Sequence, residues 1–132
     1  MNDRVEINPD WPWAKNYRIS QAVRVGTTIY VSGQVAFDRD GKVVGGNNMG
    51  EQSRQVFANI REILSVAGAS MDDVVKITAF LVDLSRYSEY SAARAEAFPN
   101  NIPASTAVSA PSLVMPDFLV EVEAVAETGS GG

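Results

Sequence analysis

The chain has 132 residues, 45% of them hydrophobic, and these values predict one globular domain with a buried core. It contains no cysteine and no histidine, which excludes disulfides, thiol nucleophiles and the usual neutral-pH general base, and argues strongly against a zinc site or a Ser-His-Asp triad. The net charge is −5 and no Lys/Arg run is present, so nucleic acid is not expected as a partner.

The amino-terminal segment is acidic and lacks the apolar run of a secretion signal. No stretch of about 18 apolar residues occurs, so the sequence predicts neither a membrane span nor a membrane partner. We therefore expect a cytoplasmic protein. Residues 1–127 are predicted to form the single domain, and the glycine-rich residues 128–132 a flexible tail.

Strands are predicted where β-branched and aromatic residues alternate between turn signals. In the clearest of them, the two-residue period places Ile29, Val31, Gly33 and Val35 on one face. The predicted strands are Arg4–Ile7, Ser20–Val25, Thr28–Val35, Asp73–Leu81, Ala104–Ser109 and Phe118–Glu127.

Two helices are predicted between these strands. Asn48 and Glu51 fit a capping box, which predicts a helix that runs to about Ala67. Ser85 is predicted to cap a second helix that reaches about Phe98. The order β-β-β-α-β-α-β-β indicates an α+β domain in which two helices cover one face of a sheet.

Three groups of residues, in this order along the chain, resemble the RidA/YjgF family. The first is Tyr30-Val31-Ser32-Gly33-Gln34; the second is Gly68-Ala69-Ser70 with Asp73-Val74-Val75-Lys76 and Phe80-Leu81-Val82-Asp83-Leu84; the third is Pro103-Ala104-Ser105-Thr106 with Leu119-Val120-Glu121-Val122-Glu123-Ala124-Val125-Ala126. The resemblance covers about residues 20–126, and the carboxy-terminal string is its most specific part.

The resemblance implies a chorismate-mutase-like fold with a six-stranded mixed sheet. It also implies a homotrimer with a central β-barrel and a small-molecule cleft at each subunit interface. Well-known members hydrolyse reactive imines or enamines made by pyridoxal-phosphate enzymes, and they release ammonia and a 2-oxo acid. No cofactor and no metal is implied.

Two positions depart from the pattern of the deaminating members. Those members resemble Pro-Ala-Arg-Ser/Thr where this chain has Ser105, and Ser105 cannot replace the arginine fork that grips a substrate carboxylate. They also resemble Tyr-Ser-Gln-Ala where this chain has Ile19. Tyr17 lies two residues earlier and would point to the same side of an extended segment.

Glu121 is the principal catalytic candidate, because it matches the glutamate with which the family orients water. It lies in an otherwise apolar strand and shares a face with Glu123, about 7 Å away by strand rise. A carboxylate pair in a partly dry cleft raises one pKa, which suits proton transfer through water. The alternative is that both acids are solvated or ion-paired.

Four further residues are candidates for substrate binding. The resemblance implies that the backbone of Ser32 and Gly33 lines the cleft, although Gly33 could instead mark a bulge or close strand packing. Ser105 could bind a ligand or only satisfy the strand backbone. Arg94 could supply the missing charge, or it could be an exposed arginine near Glu89 or Glu96.

Two tryptophans near the amino terminus also have two interpretations. Trp11 and Trp13 could form an aromatic wall over the cleft, or they could pin the terminal segment to the domain.

The leading functional hypothesis is hydrolytic deamination of an imine, an enamine or a related small amine. The alternative is a non-catalytic trimer that binds a small metabolite as a sensor or helper, which the replacement by Ser105 favours. A role in protein–protein interaction is a third possibility, but no feature of the sequence indicates it.

Overall fold

The computed structural model describes residues 3–132. Within them lie six strands and two α-helices, joined partly by short 3₁₀ turns. The strands are β1 (Arg4–Ile7), β2 (Ala22–Val25), β3 (Thr28–Gln34), β4 (Val74–Leu81), β5 (Ala104–Ser109) and β6 (Val120–Glu127); the helices are α1 (Met49–Val66) and α2 (Tyr87–Ala97). None of the helices in this part of the chain has the length and apolar character needed to span a membrane.

The strands form one mixed sheet in the order β1-β2-β3-β6-β4-β5. Every neighbouring pair is antiparallel except β4 and β5, which are parallel and are connected through α2. The two helices pack on the same face of this sheet, which confirms the predicted α+β domain with a six-stranded mixed sheet. The trimer with its central barrel remains a prediction.

Helix α1 supplies the main apolar face over the sheet. Its residues Val56, Ile60, Ile63 and Leu64 are fully buried, as expected for a stripe with helical spacing. Its predicted cap is confirmed, since the Asn48 Oδ1 accepts a hydrogen bond of 2.9 Å from the backbone of the third helical residue.

The buried Gln52 of α1 fixes the start of β6. Its amide nitrogen donates to the carbonyl oxygens of Gly46, at 2.7 Å, and Asp117, at 2.9 Å. Its amide oxygen accepts from the backbone nitrogen of Leu119, at 2.9 Å. One side chain thus satisfies three backbone groups and anchors the loop that leads into the strand carrying Glu121.

Two local predictions were wrong. Ser85 does not cap α2; it lies in the 3₁₀ turn Leu84–Arg86, where the Asp83 carboxylate accepts from its backbone nitrogen, and the α-helix begins at Tyr87. Gly33 does not share a face with Val31, because β3 contains a bulge at this point.

The end of the chain, residues 128–132, is hydrogen-bonded to the domain. The Thr128 backbone nitrogen donates to the Thr27 carbonyl at 2.7 Å, which extends the β3–β6 pairing. The Gly131 nitrogen donates to Asp73 Oδ1 at 2.8 Å. These contacts place the carboxy terminus beside the start of β4, and its flexibility remains a prediction.

Candidate functional site

The site is built around a bulge in β3. Val31 pairs with Ala124 of β6, but the next pair is Gln34 with Val122, so β3 has one residue more than β6 in between. The extra residue lies within Ser32 and Gly33, and a bulge of this kind bends the strand and redirects its side chains. Both Val31 and Gln34 are therefore buried beneath the helices, while Gly33 turns to the opposite face.

Buried polar side chains hold the bulge in place. The Ser32 hydroxyl donates to the Ser20 carbonyl oxygen at 2.7 Å, and the Ser32 backbone nitrogen donates to the Gln21 carbonyl at 2.9 Å. The Gln34 amide nitrogen donates to Gln21 Oε1 at 2.9 Å and to the Ser32 carbonyl at 3.1 Å. This network satisfies polar groups that a regular ladder would have paired.

Glu121 lies across from the bulge on β6. Residues Val120, Val122 and Ala124 of this strand are buried against the helices, so the two-residue period turns Glu121 and Glu123 to the other face. The glycine at position 33 makes room for the Glu121 carboxylate: a Cβ atom there would lie only 2.9 Å from Glu121 Cδ. The carboxylate thus occupies the space that a side chain at position 33 would fill.

The electrostatic environment keeps the Glu121 carboxyl protonated to higher pH than usual. Burial raises its pKa, and the negative charge of Glu123 raises it further. No hydrogen bond contributes in the opposite direction. The carboxyl group can therefore take up and release a proton nearer to neutrality than an exposed glutamate.

An open concavity of about 230 Å³ lies over Glu121 and Gly33. Its walls are mainly aromatic and aliphatic: Trp13, Tyr17, Ile19, Val35, Phe37, Val114 and Met115, with Gln21 and Ser32 as the polar contributors. The rings contact one another, with centroid distances of 4.9 Å between Trp13 and Phe37 and 5.9 Å between Trp13 and Tyr17. The wall is thus a connected aromatic cluster that includes Tyr17.

In the structure Trp11 anchors the terminal segment, whereas Trp13 lies in the wall of the concavity. Trp11 is 2% exposed and donates its indole N–H to Glu62 Oε2 of α1 at 2.7 Å, which pins the terminal segment to the domain. Trp13 stacks on Trp11 and forms part of the wall.

Arg94 and Ser105 lie together in a second cavity of about 560 Å³ between α2 and β5. The Arg94 guanidinium is 3.5 Å from Ser105 Oγ and receives no ion pair from Glu89 or Glu96. Those acids bind Arg86 and Arg54 instead, at 3.4 Å and 3.0 Å. Neither acid near Arg94 on the helix therefore forms an ion pair with it.

Within one chain, the predicted site residues form two groups. Tyr17, Ser32, Gly33 and Glu121 line one concavity. Ser105 pairs with the buried Ile77 of β4 and faces the helices, whereas Glu121 pairs with Phe80 and faces away from them. The two groups thus lie on opposite faces of the sheet.

The sequence pattern did not reveal three contributors to the first concavity. Phe37, Val114 and Met115 lie in segments outside any strand, where periodicity carries no signal. Phe37 is held because the buried Asn59 of α1 donates to its carbonyl oxygen at 2.9 Å. An asparagine inside the apolar stripe of a helix was the one available hint, since a buried amide needs a partner.

Known proteins match nearly the whole chain. The family model described as Endoribonuclease L-PSP matches residues 13–128. A RutC family protein of Pyrococcus abyssi is 42% identical over 108 residues, which cover 81% of this chain and 84% of the relative. The mitochondrial protein MMF1 of Saccharomyces cerevisiae is 36% identical over 115 residues, 86% of this chain and 77% of the relative.

Solved structures agree with the sequence matches. The crystal structure of RidA from the Antarctic bacterium Psychrobacter sp. PAMC 21119 is 34% identical, with a TM-score of 0.85, over 93% of this chain and 98% of the other. Another match, at 28% identity and a TM-score of 0.82, is a Mycobacterium tuberculosis protein described as a member of the YjgF/YER057c/UK114 family. The motifs, the fold and these matches agree, and the chain belongs to the RidA/YjgF family, which the matching family model describes as Endoribonuclease L-PSP.

Proposed function

We propose that the chain is a hydrolytic deaminase of reactive imines or enamines, in which Glu121 orients and deprotonates a water molecule. The observation that supports this most directly is the half-buried Glu121 carboxylate, which faces Gly33 in a concavity without hydrogen bonds that would hold it ionised. Ser32, Gly33 and Tyr17 surround the place where a small substrate would lie.

The chemistry needs only water and a proton carrier. Glu121 takes a proton from water as the oxygen forms a bond to the C=N carbon, and the π electrons move to nitrogen, which takes that proton from Glu121. In the second step the hydroxyl of the tetrahedral carbinolamine gives its proton to Glu121, which passes it to the amino group. The C–N bond then breaks, ammonia leaves and a C=O bond forms. The products are a 2-oxo acid and ammonia, and no oxidant or reductant is consumed.

We place the complete site between two subunits of a homotrimer. Large apolar side chains are exposed around both cavities: Ile102 is 87% exposed beside Ser105, while Val114 and Ile19 are 79% and 60% exposed beside Glu121. Exposed apolar rims of this kind are typical of surfaces that become buried by association. Contact between one rim and the other would bring Arg94 and Ser105 of one subunit towards Glu121 of its neighbour.

The direct test is an assay with freshly generated 2-imino acids. Addition of the protein is expected to accelerate the release of ammonia and 2-oxo acid over buffer alone, measured as oxo-acid formation in a coupled assay. No acceleration over buffer for any 2-imino acid would contradict the proposal. It would favour the alternative, a trimer that binds a metabolite without converting it, which the replacement of the family arginine by Ser105 supports.

The rate should rise with pH and then level off. Glu121 accepts a proton only when it is ionised. Because burial and the charge of Glu123 raise its pKa, the rising limb of the curve of rate against pH should lie at a higher pH than for an exposed glutamate. Glu123→Gln removes the like charge and lowers the pKa of Glu121, which shifts the limb to lower pH. Glu127→Gln is the control, because Glu127 bonds to Thr27 and Thr28 at the far end of β6. A limb that stays in place in Glu123→Gln would contradict the assignment of the rising limb to Glu121 with Glu123 as its charged neighbour.

Gly33→Ala tests the close approach of strand and acid. The new methyl group would lie 2.9 Å from Glu121 Cδ, and the free end of that side chain can swing aside. We expect a nearly unchanged melting temperature and a roughly ten- to hundred-fold lower kcat, since small displacements of a reacting group are costly. Gly50→Ala is the matched control, because its nearest neighbour would be 3.5 Å away. An unchanged kcat in Gly33→Ala would show that the position of the Glu121 carboxylate does not matter for catalysis.

Other locations and activities are less well supported. The name of the matching model refers to an endoribonuclease, but a chain of net charge −5 without histidine offers neither a basic RNA surface nor the usual acid–base residue. We propose a cytoplasmic location, while the yeast relative is named as mitochondrial.

A further inference from the structure

Arg94 has an unusual set of partners for a charged side chain. Its guanidinium donates to the Tyr87 hydroxyl at 2.9 Å, to Ser91 Oγ at 3.1 Å and to Ser105 Oγ at 3.5 Å. It also lies over the rings of Tyr87 and Tyr90, with its central carbon 5.6 Å and 5.5 Å from their centroids. The side chain is half-buried and its position is fixed from several sides.

All of these partners are neutral. Among residues 3–132, the arginine–carboxylate pairs join Arg4 to Glu6, Arg54 to Glu96 and Arg86 to Glu89, and none includes Arg94. A guanidinium has five donors, and hydroxyl groups leave its charge uncompensated. A fixed, uncompensated cation at the wall of a cavity is suited to bind an anion.

The Tyr90 hydroxyl, beside Arg94, is a second polar group that lacks a suitable partner. Tyr90 is 0% exposed, and its hydroxyl has no partner with hydrogen-bond geometry among the described residues. Arg94 and Ser105 lie near enough to lower its pKa, although burial raises it more. A buried hydroxyl without a partner is costly, and this one belongs to a ring that the Arg94 guanidinium covers.

The remainder of the cavity is apolar. Ala95, Phe98, Pro99, Ile102, Pro103 and Ala107 line it opposite the guanidinium. Ser105 is small and uncharged, and Arg94 is the one charged residue among those that line the cavity. Helix α2 thus places a guanidinium 3.5 Å from the strand position at which deaminating members resemble Pro-Ala-Arg.

We propose that Arg94 is the carboxylate-binding residue of this protein and that the ligand is a monocarboxylate with a bulky apolar group. The carboxylate pairs with the Arg94 guanidinium beside Ser105, and the apolar group packs against Phe98 and Ile102. The proposal deepens the proposed function, on which it rests for the identity of the reacting group: the substrate is then a 2-imino acid with a large apolar side chain. The aromatic wall around Glu121 favours the same class.

Direct binding of benzoate and of its neutral analogue benzamide tests this, measured by calorimetry without any turnover. Wild-type protein should bind benzoate more tightly than benzamide or acetate. Arg94→Gln should weaken benzoate binding roughly ten- to hundred-fold, the usual effect of losing a charged hydrogen-bond pair, and leave benzamide binding unchanged. Arg94→Lys keeps the charge and should lose less. Arg61→Gln, which removes an exposed arginine of α1, is the control and should bind benzoate like the wild type.

A rescue variant keeps the test decisive if Arg94→Gln loosens the helix. Adding Ser105→Arg to Arg94→Gln should restore benzoate binding, because the guanidinium returns from the helix to the strand. No benzoate binding by the wild type, or equal benzoate affinities in the wild type and Arg94→Gln, would overturn the proposal. Benzoate binding that depends on Arg94, in a protein that does not hydrolyse imines, would support this site and remove only the deaminase function.

Discussion

Glu121→Gln should lower the rate of imine hydrolysis by roughly a hundred-fold or more, the usual range for losing a general base. The amide keeps the size of the side chain but cannot accept the proton of the attacking water. The measurement is kcat for 2-oxo acid release from the same 2-imino acid at a pH on the plateau of the wild type. The loss should appear in kcat rather than in KM, because Glu121 acts on water and not on the carboxylate of the substrate.

The same variant should be more stable at neutral pH. Because the folded pKa of Glu121 is raised, the folded state holds its proton more tightly than the unfolded state, and stability falls as pH rises through this range. Gln carries no charge, so the variant should melt at a modestly higher temperature at pH 7 and lose this advantage in acid. Glu123→Gln should retain most of its plateau kcat. Full activity of Glu121→Gln would remove Glu121 from the mechanism.

Assembly of Arg94→Gln and Glu121→Gln chains into the same trimer should restore part of the activity that each variant lacks. If each site takes Arg94 from one subunit and Glu121 from the next, Arg94→Gln and Glu121→Gln damage opposite halves of the same cleft. In trimers formed at random from equal amounts, about one quarter of the sites receive an intact residue on both sides. Purification of co-expressed chains through two different tags removes trimers of a single variant, and each remaining trimer has one intact site in three. The purified sample should therefore show roughly a third of the wild-type kcat/KM per site.

Two controls define the result of the mixing experiment. Each variant alone should show roughly a tenth of the wild-type kcat/KM or less, and a mixture of the separately purified proteins without subunit exchange should equal their average. If both residues served a site within one chain, co-expression would regain nothing. A monomeric mass of about 14 kDa at micromolar concentration would likewise remove the shared cleft.

Much of the fold could be predicted because its signals are local. The capping pattern at Asn48 depends on residues within one turn, and the alternation in β6 depends only on its own sequence. In the structure Asn48 caps α1 as predicted, although its backbone nitrogen bonds to Gly45 and not to Glu51. The alternation in β6 correctly turned Glu121 and Glu123 to one face. Ser85 failed as a cap because Asp83, two residues earlier, accepts from its backbone nitrogen first and starts a 3₁₀ turn.

The geometry of the site depended on contacts between distant parts of the chain. The bulge at Ser32 and Gly33 exists because β3 pairs with β6 one residue out of step, and no pattern within β3 shows this. For Arg94, the sequence places acids at helical spacing, yet Glu96 is bound by Arg54 of the neighbouring helix. The resemblance indicated the candidate residues of the cleft, whereas their division between two faces of the sheet follows from strand pairing that no local pattern shows.

The stacked indoles near the amino terminus give the protein an optical reporter of its own. The chain has two tryptophans; one is anchored to a helix and the other borders the place where a substrate would lie. A molecule that enters there changes the polarity around the second ring, so its arrival alters the emission of the unlabelled protein. Occupancy can thus be followed by fluorescence in every variant that keeps Trp13.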